Sequence, residues 1–170
     1  MISLEKLLES RDRRVQHQRQ LLAAYPACSL ICLTVQLPGP VKRNTQSLLV
    51  GGAALAALLE KFGSVLSHVQ VRDLETGYEA YLLVPLPALP VKKICCEIEQ
   101  AHPLGRLMDL DVLGPDGLAL ERTALGLAPR RCLLCDQPAR FCMRAHTHTP
   151  EQLQARIGAM IEGWIFAENP

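Results

Sequence analysis

Aromatic side chains are scarce, at 4% of the chain, with one tryptophan, three tyrosines and three phenylalanines. Single-strand nucleic-acid binders stack bases on exposed rings, so this scarcity argues against that class. An excess of charge of either sign is also missing, because 18 basic and 17 acidic side chains leave a formal net charge of +1. No global field draws the protein to nucleic acid or to a membrane surface, and any anion it binds must be held locally. Met1-Ile2-Ser3-Leu4-Glu5-Lys6 lacks the charged-then-apolar order of a secretory signal. The most apolar run, residues 48–59, is closed by Glu60 and Lys61 and falls well short of a bilayer span. Seven cysteines are an odd number for a disulfide scaffold. With no signal segment, they point to reduced thiols and a cytoplasmic protein.

A chain of 170 residues suits one domain with a core of its own. Within it we expect an N-terminal helix over 1–25, an α+β core over 28–122, and a Cys/His segment with a closing helix over 129–170. Ser3 followed by a carboxylate opens the first helix, and Arg11, Arg14 and Gln18 share one side of it at offsets of three and four. The plain reading of that stripe is a solvated helix face. After Pro26 the apolar, β-branched run 28–37 reads as a central strand. Pro38-Gly39-Pro40-Val41-Lys42-Arg43 is a rigid turn that delivers two cations to the start of a helix over 44–62. The small residues Gly51-Gly52-Ala53-Ala54 inside that helix predict close packing on a sheet. Strands over 65–72 and 78–84 follow as a hairpin, then a helix over 91–100, a strand within the stretch 102–113 and a further strand at 118–122. This order fits an α+β fold, either a split βαβ (ferredoxin-like) sheet or a nucleotidyltransferase-like mixed sheet.

Two places carry chemistry. The first is His102-Pro103-Leu104-Gly105-Arg106-Leu107-Met108-Asp109-Leu110-Asp111, where a glycine turn and an arginine lead into a strand. Its carboxylates stand at alternate positions and so project on one face. Two carboxylates with substrate phosphates are the usual ligands of Mg²⁺. An edge strand with a solvated face would show the same alternation. The second place is Arg130-Arg131-Cys132-Leu133-Leu134-Cys135, followed by Cys142, His146 and His148. A C-x-x-C knuckle, a third thiol and one imidazole make a closed structural Zn²⁺ set, the alternative being cysteines buried as packing residues. Arg130 and Arg131 are fork donors suited to phosphate. Thr149-Pro150-Glu151 begins the closing helix, whose Leu153, Ile157, Met160, Ile161 and Trp164 form an apolar stripe.

Four patterns in order carry a family resemblance: Ser10-Arg11-Asp12-x-Arg14-x-x-x-Gln18, Pro38-Gly39-Pro40-x-Lys42, His102-Pro103-Leu104-Gly105-Arg106-Leu107-x-Asp109-x-Asp111-Val112, and Arg130-Arg131-Cys132-Leu133-x-Cys135 with Cys142, Arg144 and His148. Over nearly its whole length the chain resembles the citrate lyase holo-acyl-carrier-protein synthases, the apo-citrate lyase phosphoribosyl-dephospho-CoA transferases. The resemblance implies an enzyme of nucleotidyltransferase type. It would move the prosthetic group from triphosphoribosyl-dephospho-CoA to a serine of the apo acyl carrier (gamma) subunit, release diphosphate, and need neither nucleic acid nor a membrane. It implies Asp109 and Asp111 as Mg²⁺ ligands and His148 as the histidine of the zinc set. Arg106, Lys42, Arg130 and Arg131, with Arg11 and Arg14 more remotely, are implied as phosphate clamps. His102 or Asp12 is the candidate acceptor of the serine proton. The nucleotidyltransferase signature sets a glycine-serine pair about ten residues before its acidic pair, whereas Gly105 stands only four before Asp109. A zinc-stapled adaptor that binds the carrier subunit without catalysis is the competing reading.

Overall fold

The computed structural model of the chain describes residues 3–168. Helix α1 (Leu4–Ala24) starts where the Ser3 hydroxyl accepts the Lys6 N–H, with Glu5 in its first turn. Strand β1 (Ser29–Val35) leads to α2 (Thr45–Phe62), which opens on a capping box between Asn44 and Ser47. Then come β2 (His68–Leu74), β3 (Gly77–Val84), α3 (Ala88–Ala101) and β4 (Met108–Leu113). The strands lie in the order β2-β3-β1-β4, and each neighbouring pair is antiparallel. Of the two expected architectures this is the split βαβ, ferredoxin-like one; an antiparallel sheet is not the mixed sheet that was the alternative. The chain forms two compact units, one up to Leu120 and one from Glu121 onward.

Helices α2 and α3 cover one face of the sheet, α2 over β1 and β3 and α3 over β4. That face is dry: Ile31, Leu33, Ala80, Leu82, Leu110 and Val112 are each 0% exposed. This packing explains one of the two mid-helix glycines: a Cβ at Gly51 would overlap the ring of Tyr78 on β3, whereas Gly52 is exposed and has open space around it. Gly51→Ala is therefore expected to cost about 1–3 kcal/mol by overpacking, read as a lower urea midpoint at unchanged slope. Among the described residues α2 is the one helix long and apolar enough to cross a membrane by composition. Its Val50, Ala54 and Leu58 are 0% exposed.

Helix α1 covers the opposite face. Leu21 and Leu22 pack there against Leu30, Cys32, Tyr81, Leu83 and Leu113. Two expectations need correction. The hairpin starts later than expected, because Gly63–Val65 forms a 3-10 turn and β2 begins at His68. The strand expected at 118–122 is absent: the chain returns past the Gly114–Gly117 turn to make one bridge, Leu113 with Ala119, and then coils into a 3-10 turn at Arg122–Leu125. The open edge of β4 supplies the reason. Strand residues alternate in the side to which their peptide groups point, and Gly114 and Val112 bond outward to Leu118 and Leu120. The next outward peptide is that of Leu110, and side chains of α3 already hold it: Glu99 accepts its N–H at 2.9 Å and Lys92 donates to its carbonyl at 2.9 Å. A strand along 118–122 has no further partner to pair with.

In the second unit a small hairpin closes through Cys132 N–H to the Gln137 carbonyl at 2.7 Å and Ala139 N–H to the Arg130 carbonyl at 2.8 Å. Helices α4 (Ala139–Ala145) and α5 (Pro150–Glu168) follow. Thr149 caps α5 as expected, exchanging hydrogen bonds with Gln152. Ile157 and Ile161 are the buried members of its apolar stripe.

Candidate functional site

Register decides which face the two aspartates occupy. Asp109 lies opposite Thr34, which lies opposite Glu79, which lies opposite Arg72. Asp111, Cys32, Tyr81 and Gln70 make the adjacent row. Cross-strand partners share a face and stand about 5 Å apart, so both aspartates belong to the α1 face. Asp109 is half-buried and Asp111 exposed, while Leu110 between them is buried under α3. Two oxygen-rich groups on alternate residues, open to solvent on one side, fit a hard divalent cation that keeps some of its ligands from substrate.

The α1 stripe faces the same surface. Arg14 binds Glu79 Oε1 through Nε at 3.0 Å and Nη2 at 2.9 Å, and Gln18 donates to the Cys32 sulfur at 3.3 Å. Arg11, one turn earlier, is exposed, as is Asp12. The remaining first-unit candidates gather at one end of the sheet. Gln36, just past β1, donates to the Leu107 carbonyl at 2.9 Å, tying the 38–43 turn to the 3-10 turn Gly105–Leu107 that carries Arg106. Lys42 reaches back to the Leu37 carbonyl at 2.7 Å, and burial lowers the pKa of its ammonium. The backbone of the same turn lies beside Gly77 at the start of β3, next to Thr76, to which Ser10 of α1 donates at 2.9 Å. Arg43 is committed elsewhere, in a two-pronged bond to Asp73 at 2.9 and 2.7 Å. His102 ends α3, and its Nδ1 accepts the Leu104 N–H at 3.0 Å. Gly105 is required where it stands, because a Cβ would overlap the Glu99 carbonyl.

Sequence reasoning missed the core of this face. Glu79 is 3% exposed and accepts both Arg14 and the Tyr81 hydroxyl, the latter at 2.6 Å. His17 meets Gln70 at 2.6 Å and sets its ring edge-on to Tyr81 at 4.8 Å. The available signal was Glu79 itself, the single charge in an otherwise uncharged strand, Gly77–Val84. Burial, then the Glu79 carboxylate, raises the Tyr81 phenol far above its ordinary pKa, and burial pushes the Cys32 thiol up to about 12. Both stay protonated at neutral pH and serve as packing and hydrogen-bonding groups. Removing Glu79 as Ala leaves Arg14 and Tyr81 without their acceptor. A loss of about 2–3 kcal/mol is expected in a denaturant melt, short of the figure for a fully buried pair because Arg14 keeps contact with water.

The second unit contains the thiol set. One donor atom from each of Cys132, Cys135, Cys142 and His148 falls within 4.8 Å of all the others. The Cys135 and Cys142 sulfurs are 3.5 Å apart, and His148 Nε2 is 3.3 Å from the Cys135 sulfur. Ligands of a tetrahedral zinc with bonds of about 2.0–2.3 Å stand roughly 3.5–3.8 Å from one another. At Cys132 burial pushes the thiol up, but donation from the Leu134 and Cys135 backbone N–H groups and neighbouring thiols outweighs it and lowers the pKa. Burial and the other two thiols push Cys142 up to about 11, the penalty that a bound cation removes. This Cys₃His cluster could hold a metal such as zinc. His146 is exposed, in a left-handed cap of α4, and takes no part in the set. Arg130 and Arg131 open the hairpin, and Arg131 is paired with Asp136 at 3.1 Å.

A split βαβ sheet with two aspartates and Glu79 on the face that α1 covers, and Arg14 of α1 bound to Glu79, defines an α+β protein. The family model for apo-citrate lyase phosphoribosyl-dephospho-CoA transferase matches residues 2–164. The chain belongs to this transferase family. It is 38% identical over 171 residues to Protein CitXG of Haemophilus influenzae, covering 99% of this chain and 37% of that protein. It is 39% identical over 163 residues to the apo-citrate lyase phosphoribosyl-dephospho-CoA transferases of Escherichia coli O1:K1 and Shigella boydii serotype 18, covering 94% of this chain and 88% of each.

Proposed function

We propose that this cytoplasmic enzyme transfers the 2'-(5''-phosphoribosyl)-3'-dephospho-CoA group from its triphosphate precursor to a serine of the apo acyl carrier (gamma) subunit of citrate lyase. The serine Oγ forms a bond to the ribose-linked phosphorus, the bond from that phosphorus to the next phosphate breaks, and diphosphate leaves with the electron pair. The observation that carries this reading is the family match along nearly the whole chain. The meeting of the three first-unit patterns at one end of the sheet supports it.

Asp109 and Asp111 hold the divalent cation, Mg²⁺. When bound, that cation neutralises charge on the triphosphate and on the departing diphosphate. Arg106 and Lys42 bind phosphate oxygens near the start of β4, and Arg11 and Arg14 do so from α1, where Glu79 fixes the direction of Arg14. Arg130 and Arg131, on the second unit, are fork donors suited to phosphate. His102, whose Nδ1 accepts from Leu104, shapes the turn that carries Arg106 and is the candidate acceptor of the serine proton. Cys132, Cys135, Cys142 and His148 hold a structural Zn²⁺. An adaptor that only binds the carrier would explain the thiols but has no use for the acidic pair. Mixing the protein, apo carrier and precursor and assaying diphosphate separates the two: release supports the transferase, and binding without release supports the adaptor.

A further inference from the structure

The least expected charges in the chain are Lys92 and Glu99 on α3, each 4% exposed and each outside the family-like patterns. They are seven residues apart, two helical turns, and so emerge on the same side of α3. Both reach one residue of β4: Glu99 Oε1 accepts the Leu110 N–H and Lys92 Nζ donates to the Leu110 carbonyl, each at 2.9 Å. Leu110 is the residue between Asp109 and Asp111. β4 is an edge strand: beyond its ladder with β1 it has one outer bridge among the described residues, Leu113 with Ala119, past Leu110 at its C-terminal end. An edge of this kind is where a strand twists, frays or slips most easily. Here the outward peptide between the two aspartates is gripped instead by two charge-assisted hydrogen bonds, stronger than neutral ones. Burying two charges is expensive, and an apolar contact would fill the same space more cheaply. The expense falls on the one residue whose backbone sets the relative direction of the two carboxylates.

We infer that Lys92 and Glu99 are positioning residues which clamp the Leu110 peptide and thereby fix Asp109 and Asp111 at the spacing needed for divalent-cation binding. The inference rests on the proposed metal role of those aspartates. It assigns a function at the acidic pair to two α3 residues that touch neither substrate nor metal.

The test uses the full chain and Mn²⁺ as the probe. Removing one charge strands the other, so the variant is the pair Lys92→Met with Glu99→Leu, which removes both together. Its half-saturating Mn²⁺, both for direct binding by electron paramagnetic resonance and for transfer, should rise about 10-fold to 100-fold, the usual effect of removing a group that orients a metal ligand. The KM for the carrier should not move. Lys92→Met with Glu99→Gln, which restores an acceptor to the Leu110 N–H, should recover part of that loss. A folded Lys92→Met/Glu99→Leu protein with wild-type Mn²⁺ binding overturns the clamp. Asp109→Asn run in parallel separates the two levels: if it retains Mn²⁺ binding and transfer, the metal reading falls and takes the clamp with it. Should the double variants not fold, hydrogen exchange in the unaltered protein decides. The Leu110 amide should exchange as slowly as the ladder-bound amides of Asp109 and Asp111, and rapid exchange there overturns the inference.

Discussion

Asp109→Asn should abolish transfer of the prosthetic group, by at least about a thousandfold, while moving the melting temperature by no more than a degree or two. The two halves of this expectation come from different parts of the structure. Asp109 is bound into the sheet by backbone pairing opposite Thr34, and its neighbours Met108 and Leu110, each 0% exposed, contribute the core packing. Its side chain is half-buried on the α1 face and fills no core space. Asparagine keeps the shape and the strand but loses the charge that a hard cation requires. Asp111→Asn should act in the same direction. Near-normal transfer by Asp109→Asn, measured under saturating Mg²⁺, would remove the acidic pair from the mechanism.

The second large effect belongs to the thiol cluster. Purified protein should contain one zinc per chain, and Cys135→Ser should lose it, since the Cys135 sulfur stands 3.5 Å from that of Cys142 and 3.3 Å from His148 Nε2. The unit from Glu121 onward has little else to hold it: its buried apolar side chains are Cys142, Ile157 and Ile161 among the described residues. A structural zinc contributes on the order of 10–16 kcal/mol to a small domain, far more than three buried side chains can. Cys135→Ser, or stripping by a strong chelator, should therefore expose residues 121–168 to limited proteolysis while the sheet of the first unit keeps its far-ultraviolet circular dichroism signal. A metal-free preparation as protease-resistant as the metal-loaded one would make these cysteines packing residues.

Much of this architecture was legible because local signals agreed with the tertiary fold. Ser3 and Thr149 cap the helices they were expected to open, α2 starts at Thr45 within a residue of its expected beginning, and Gly51 packs where a small residue is needed. Alternation placed Asp109 and Asp111 on one face, and the cysteine spacing anticipated the cluster. The misses are of one kind. The strand expected at 118–122 failed because its partner edge was already occupied by Glu99 and Lys92, which no local pattern on 118–122 can reveal. Glu79 escaped notice because a lone carboxylate in a strand acquires meaning only when a helix 65 residues earlier in the chain brings Arg14 to it. His17, at an unspecified place in the first pattern, meets Gln70 and Tyr81 through the same packing of α1 on the sheet. Long-range pairings set these features, and a one-dimensional reading contains no register.

Asp109, Asp111, Arg14 and its buried anchor Glu79 share the α1 face, where the proposed cation and phosphate binding would take place. The most direct measurement of what that face does is the mass of the carrier subunit. Purified protein is incubated with apo acyl carrier subunit, triphosphoribosyl-dephospho-CoA and Mg²⁺, and the carrier is weighed by intact mass spectrometry. The account predicts a carrier heavier by one phosphoribosyl-dephospho-CoA group on a serine, formed with one equivalent of diphosphate and absent with Asp109→Asn. A carrier of unchanged mass that nonetheless binds the wild-type protein tightly would contradict it.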